Sequence, residues 1–122
     1  MIDSNSVIEI FVFGSNLAGR HGAGSALHAK RHHGAIQGQG VGFQGSSYAI
    51  PTKDSKLVTL PLDQIEPHVK TFISFAIEHP ELKFNIVRIG CGLAGYTDKE
   101  IAPMFKGCPS NCILPKEWYL IK

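Results

Sequence analysis

The sequence contains no apolar run close to the ~18 consecutive residues that a membrane-spanning helix needs, which excludes a transmembrane protein. Residues 2–6 bring an acid and polar groups, with no basic group ahead of an apolar stretch, so we expect no secretory signal peptide. An excess of one charge is also missing, because 12 basic and 10 acidic side chains leave a net charge of only +2. Nucleic acid is therefore not the expected partner.

Cysteine is scarce, and the three that occur are Cys91, Cys108 and Cys112. An odd number cannot pair completely, and the spacing is not that of a disulfide framework. A zinc site around Cys108 and Cys112 would need a further pair of ligands, which that segment lacks. We therefore expect free thiols in a reducing cytoplasm, with no metal site and no cofactor.

Two familiar nucleotide-binding motifs are incomplete. Residues 14–19 have the glycine spacing of a Walker loop, but Arg20 and His21 occupy the positions of its Lys and its Ser or Thr. Those two residues supply the phosphate cation and the magnesium ligand, so an NTPase is not expected. A Rossmann fingerprint is also absent, since Gly22 and Gly24 are not followed by a third glycine at the required spacing.

What the sequence does contain is an ordinary globular composition with an excess of glycine. The chain has 122 residues, of which 43% are hydrophobic and 18% charged, so we expect one domain over residues 1–122. Nine of the 13 glycines fall between Gly14 and Gly45, and three more are Gly90, Gly92 and Gly95. Each of these two zones follows an apolar run that is typical of a strand.

The patterning predicts strands that alternate with helices. Strands are expected over residues 7–13, 48–51, 84–89 and 112–114, with residues 35–47 irregular. Helices are expected from about residue 22–24 to 33, from 63 to 80 and from 97 onward. Asp63 with Glu66, and Thr97 with Glu100, resemble capping boxes, and Pro103 shortens or kinks the last helix. The order predicts a three-layer α/β domain with a mixed, largely parallel sheet between helices.

Both glycine zones lie between a predicted strand and a predicted helix. In such sheets ligands bind at the carboxyl ends of the strands, where helix N-termini offer free N–H groups and glycine lets a phosphate approach the backbone. Two such loops can bracket a diphosphate; the alternative is that the glycines only serve tight turns.

A basic stretch provides either a rim for a phosphate-bearing ligand or a solvated helix face. Its members are Arg20, His21, His28, Lys30, Arg31, His32 and His33.

Three segments, residues 22–34, 48–53 and 88–93, come in the order seen in macrodomains. Of that superfamily the chain most resembles the terminal ADP-ribose protein glycohydrolase branch, and it is similar to short phage and bacterial macrodomain-like proteins. The resemblance covers about residues 7–114. It implies a macrodomain-like fold, a site for ADP-ribose or a related molecule, and the cytoplasm of a bacterium or of a phage-infected cell.

The resemblance also implies which residues form the site. Residues 22–25 of the first loop, which follows the first predicted strand, would meet the diphosphate from one side, and residues 90–95 of the second loop would meet it from the other. Asn16 would lie near the distal ribose or the diphosphate. Tyr96 would stack on or shield the ribose, or is a core aromatic; Trp118 and Phe43 are candidates for adenine stacking or plain packing. The expected ligand-binding residues are Asn16, Gly22, Ala23, Gly24, Ser25, Gly90, Cys91, Gly92, Leu93, Ala94, Gly95 and Tyr96.

The same resemblance implies that one of the two catalytic residues of the glycohydrolase branch is kept. The glycohydrolase branch uses a lysine nucleophile, which falls at Lys53, and an acid, which is replaced here by Ala94. Relatives that hydrolyse through a bound water need neither. The favoured function is therefore binding of ADP-ribose or an ADP-ribose-derived nucleotide, sequestering a signal. One alternative is a hydrolase acting on ADP-ribosylated protein or an ADP-ribose derivative; another is an interaction module for protein or nucleic acid with a vestigial site.

Overall fold

A computed structural model describes residues 7–120 of the chain. The expectation of no signal peptide depends on residues 2–6 and lies outside this range. Among the described helices, none combines the length and the hydropathy that crossing a bilayer demands.

The centre of the fold is a five-stranded sheet in the order β2-β3-β1-β4-β5. Strands β1, β3, β4 and β5 run parallel, and β2 is antiparallel to β3 at one edge. This arrangement confirms the mixed, largely parallel sheet. The strands are β1 (Ile8–Asn16), β2 (Gly42–Gln44), β3 (Ser47–Lys53), β4 (Leu82–Ile86) and β5 (Cys112–Ile113).

Helices cover both faces of the sheet, as the three-layer prediction requires. They are α1 (Gly24–His32), α2 (Leu62–Glu78) and α3 (Asp98–Ile101), with 3-10 helices at Ala102–Phe105 and Lys116–Leu120. Alternation along β1 sends Ile10 and Val12 to one face and Phe13 to the other. The first face carries the large core, in which α2 contributes Phe72 and the 3-10 helices contribute Phe105 and Trp118.

The second face carries a smaller core beneath α1. Phe13 packs there against small side chains, including Ala26 and Ala29 of α1 and Ala49 of β3. Alanine at these positions lets the helix approach the sheet closely. Because α1 is held by this contact, its N-terminus stays fixed near the ends of β1 and β3.

The strand bounds differ from the sequence prediction in several places, and β3 (Ser47–Lys53) continues two residues beyond the predicted residue 51. β1 continues three residues further, through Asn16, because residues 14–16 still pair with β3. β4 ends at Ile86 instead of residue 89, since its pairing with β1 stops at the Val12–Ile86 pair. Residues 35–47, expected to be irregular, include β2, which is too short to show an alternating pattern.

The helix ends follow the predictions except at α2. α1 ends at His32 and Gly34 follows with a φ of +72°, a conformation that favours glycine. The capping box at Thr97 and Glu100 is confirmed, and α3 gives way to a 3-10 helix that contains Pro103. The box predicted at Asp63 is wrong: α2 begins at Leu62, so Asp63 already lies in the first turn.

Candidate functional site

The carboxyl ends of the central strands open into a cavity of about 670 Å³. β1 and β3 end there side by side, and the chain that leaves β4 forms the opposite wall. A volume of this size is typical of sites for small organic ligands and cofactors. Most of the predicted site residues line it, namely Asn16, Gly22, Ala23, Gly24, Ser25, Lys53, Gly90, Cys91, Gly92, Leu93 and Ala94. We call this cavity the cleft.

The first loop is shaped by Asn16, whose side chain is buried. Its Nδ2 donates to the carbonyl oxygen of Arg20 at 2.9 Å, and its Oδ1 accepts from the Arg20 N–H at 3.0 Å. Both polar atoms of the amide are thus engaged in closing the turn that follows β1. The turn brings Arg20 to the cleft wall, so Asn16 positions a cation as well as lining the cleft itself.

The N-terminus of α1 follows the first loop and lines the cleft. Its N-cap is Ala23, which has no side-chain oxygen, and no side chain caps the helix. The first-turn N–H groups of Gly24, Ser25 and Ala26 therefore have no intrahelical acceptor, and all three residues line the cleft. Such a helix end attracts anions through its free donors and its partial positive charge.

The second loop, residues 90–96, is a compact turn closed by its own backbone. The Tyr96 N–H donates to the Gly90 oxygen at 2.8 Å and the Gly95 N–H to the Gly92 oxygen at 3.0 Å. Gly90 has a φ of +77°, and a Cβ there would lie 3.0 Å from Cδ1 of Ile101. A Cβ on Gly92 would meet nothing within 4 Å. Gly90 is therefore required by the turn, whereas Gly92 leaves room in the cleft.

An ion pair anchors the second loop to the rest of the protein. Asp98 accepts from Arg88 Nε at 3.0 Å and from the terminal nitrogen of Arg88 at 2.7 Å. Trp118 Nε1 donates to the same carboxylate at 2.8 Å. These donors, with Arg88 first, lower the pKa of Asp98 to about 2.

The cysteine in the second loop is a neutral thiol at physiological pH. Burial, followed by the nearby Asp98, raises the pKa of Cys91 to about 11. A thiol with so high a pKa is a poor nucleophile, so Cys91 contributes shape to the cleft and not covalent chemistry. All three cysteines are free, as the sequence analysis expected.

The charge of the cleft is positive. Arg20, Lys53 and Arg88 line it, and no Asp or Glu does within residues 7–120. Arg88 is partly neutralised by Asp98 and by Glu117, whose carboxylate lies 3.8 Å away. The remaining cations, together with the helix end and the glycine loops, make the cleft suited to an anionic ligand.

Lys53 stands at the last residue of β3, where an isolated bridge to Thr59 continues the pairing. Ala94 also lines the cleft, and its carbonyl oxygen accepts from the Thr59 hydroxyl at 3.0 Å. The cleft wall within residues 7–120 thus includes a lysine but no acid.

Two predicted ligand contacts do not line the cleft. Gly95 is absent from its wall, and Tyr96 packs against the large core with its hydroxyl donating to the Leu60 oxygen. The interpretation of Tyr96 as a core aromatic is therefore the one that its contacts support. Trp118 is buried against Phe105, and Phe43 packs on Phe75, so both serve packing and neither reaches the cleft.

The basic stretch divides into three parts. Arg20 lines the cleft, whereas His21 is fully buried, edge-on to Phe13, with its Nε2 donating to the Gln39 oxygen at 3.0 Å. The remaining members lie on α1 or just beyond its C-terminus, away from the loops. A continuous basic rim around the cleft is therefore wrong, and only Arg20 of this stretch serves it.

Several residues of the cleft wall are not predicted from the sequence. Arg88 falls within a predicted strand, but in the structure it follows the end of β4. Leu57 belongs to a turn that Asp54 closes by accepting from the Lys56 and Val58 N–H groups. The polar residues Ser15 and Thr52 carried a detectable signal, because they stand at the carboxyl ends of predicted strands.

A second cavity of about 640 Å³ lies between the two 3-10 helices and β5. Among the described residues, Lys106 is the one cation in its wall. Within residues 7–120 the same wall contains no glycine loop and no N-terminus of an α-helix. Since the two cavities are similar in size, their chemistry distinguishes them, and the cleft is the better anion site.

Comparison with protein-family models, with curated proteins and with solved structures finds no match to this chain.

Proposed function

We propose that the protein binds ADP-ribose or a related ADP-ribose-derived nucleotide in the cleft. The observation that carries the proposal is a ligand-sized cavity lined by two glycine loops and three cationic side chains, with no acid in its wall among residues 7–120. A diphosphate between the loops would take hydrogen bonds from the start of α1 on one side and from the second loop on the other. Arg20 and Lys53 would balance its charge.

The nucleoside part of the proposal comes from the resemblance to macrodomains. The cleft is wider than a single phosphate needs, and its wall includes the exposed apolar side chains of Leu57 and Leu93. Apolar groups beside an anion site favour a ligand that joins phosphates to a base or a sugar ring. A free nucleotide and an ADP-ribosylated protein both satisfy this description. The free thiols are compatible with the proposed location, the cytoplasm of a bacterium or of a phage-infected cell.

Binding without turnover is the form that the cleft supports best. A lysine nucleophile needs a depressed pKa or a proton-transfer partner, and the cleft wall offers Lys53 no carboxylate. Sequestration of a nucleotide signal would require only the loops. Hydrolysis remains the second candidate, because Lys53 does lie in the cleft and because a water placed by the phosphates is another route.

Gly92→Val tests the binding proposal. The new side chain enters open space in the cleft without backbone strain, so the protein should fold while the diphosphate is blocked. Calorimetric titration with ADP-ribose should show binding to the parent protein and at least a roughly 100-fold loss in the variant, equivalent to about 2.7 kcal/mol. Gly107→Val is the matched control, since its Cβ also meets nothing within 4 Å but lies outside the cleft. Equal affinity in all three proteins would refute the proposal.

Lys53→Ala separates binding from hydrolysis. The protein is incubated with an ADP-ribosylated protein and released ADP-ribose is measured. We expect no release by the parent. Release that disappears in Lys53→Ala would establish the glycohydrolase function instead, and release that survives it would indicate the water route.

A further inference from the structure

Three histidines form a cluster at the C-terminal end of α1, at the opposite end of the helix from the cleft. His28 and His32 lie on the helix and His33 directly follows it. Nε2 of His28 lies 3.4 Å from Nε2 of His33, and the His28 and His32 rings have centroids 4.8 Å apart. None of these residues lines the cleft, so the nucleotide site gives them no role.

One phenylalanine holds two of the three rings. The His33 ring stacks on Phe11 with centroids 4.5 Å apart and planes 11° from parallel. The His28 ring contacts the same phenylalanine at 5.2 Å. Phe11 is fixed in turn by its position in the middle of β1, paired on both sides. The positions of the two Nε2 atoms therefore depend on ring contacts with a residue of the sheet, which restrict the rotation of both histidine side chains.

The spacing of these two atoms matches that of two ligands on one metal ion. Zinc–nitrogen bonds of about 2.0–2.1 Å at a tetrahedral angle place two imidazole nitrogens roughly 3.3–3.4 Å apart. Neutral imidazole nitrogen is also among the ligands that Zn²⁺, Cu²⁺ and Ni²⁺ prefer. A direct hydrogen bond between the rings is the competing explanation for the contact.

We propose that Nε2 of His28 and Nε2 of His33 together bind one divalent transition-metal ion, with Zn²⁺ as the reference case. Within residues 7–120 no group of three or more His, Cys, Asp or Glu side chains is arranged around one ion, so the protein supplies two ligands. The remaining positions are open to water or to a donor from another molecule. The proposed site differs from the expectation of no metal site, which considered only the cysteines, and it does not depend on the function of the cleft.

Zinc titration of the reduced protein, followed by long-range ¹H–¹⁵N NMR of the histidine rings, tests the site. The Nε2 signals of His28 and His33 should shift with one equivalent of Zn²⁺. His28→Gln and His33→Gln should each weaken zinc binding at these rings at least about tenfold, because one ligand of two is lost. His32→Gln is the matched control and should change the affinity less than about threefold.

Two results would overturn the proposal. In one, the His28 and His33 signals do not move with zinc, so that the 3.4 Å contact is only a hydrogen bond. In the other, His32→Gln weakens binding as much as His28→Gln, which would place the ion on a different set of rings that includes His32. The NMR readout keeps zinc bound by Cys108 and Cys112 separate, because thiolate binding leaves the histidine Nε2 signals unchanged. Circular dichroism of each variant confirms that it is folded.

Discussion

Leu57, in the turn that Asp54 closes, has an unusual backbone conformation. Its φ is +65°, and it is the one non-glycine residue with a positive φ in the part of the chain that the structure describes. This conformation costs an L residue roughly 1–2 kcal/mol. Leu57 nevertheless keeps a large side chain that is 45% exposed in the cleft wall. If the cleft binds a nucleotide as proposed, we expect this exposed apolar side chain to contact the ligand.

Leu57→Gly should lower the affinity for ADP-ribose while leaving stability nearly unchanged. Relief of strain and the greater entropy of unfolded glycine offset each other within about 1 kcal/mol. Loss of the apolar contact should weaken binding by roughly tenfold, or about 1.4 kcal/mol. Urea denaturation gives the stability and calorimetry the affinity. An unchanged affinity would assign Leu57 to the turn alone.

Gly90 and Gly92 provide a matched pair for the second loop. Alanine at Gly90 must adopt a φ of +77° and approach Ile101, so it should destabilise the protein by roughly 1–2 kcal/mol or more. Alanine at Gly92 enters open space and should change stability by less than about 0.5 kcal/mol. Chemical denaturation of both variants checks the difference. Equal stabilities would contradict the loop conformation described above.

At the scale of elements, the second loop depends on the start of α3. The capping box of Thr97 and Glu100 fixes where the helix begins, and Asp98 then reaches back to Arg88 before the loop and across to Trp118. The loop is therefore held at both ends by one carboxylate. Its glycines can turn tightly without leaving the loop free to move.

Asp98→Asn should weaken this anchor in a pH-dependent way. The pKa of Asp98 is lowered to about 2, whereas an unfolded aspartate titrates near 3.9. The carboxylate therefore stabilises the fold fully above about pH 4, and its contribution is lost as the pH falls towards 2. The parent should be more stable than Asp98→Asn at pH 7, with the gap closing in acid. A gap that is constant between pH 7 and pH 2.5 would contradict this assignment.

At the scale of the whole molecule, the alternation of apolar strand runs with helical segments was enough to predict the layers. The runs predicted every strand except β2, and in the structure Ile65, Val69 and Phe72 form part of the buried face of α2 at helical spacing. The extension of β1 to Asn16 was not predictable, because the glycine in its path suggests a loop and only pairing with β3 keeps it extended.

The glycine excess shows that the sequence predicts only part of the site. Gly22, Gly24, Gly90 and Gly92 were predicted to lie at one site and do line the cleft, whereas Gly14 lines it without having been predicted. Others have a different role: a Cβ on Gly40 would lie 2.1 Å from the Asn16 oxygen, and one on Gly45 would lie 2.5 Å from the Gly34 oxygen. These close approaches join segments distant in sequence, so no local pattern separates them from ligand-binding glycines.

The most direct test of the proposed nucleotide site is a backbone amide NMR titration with ADP-ribose. We expect the largest shifts on the cleft wall, at Gly24, Ser25, Gly92 and Leu93, and no change at the His28–His33 cluster or at the second cavity near Trp118. Shifts confined to the second cavity, or no shifts at millimolar ADP-ribose, would contradict it.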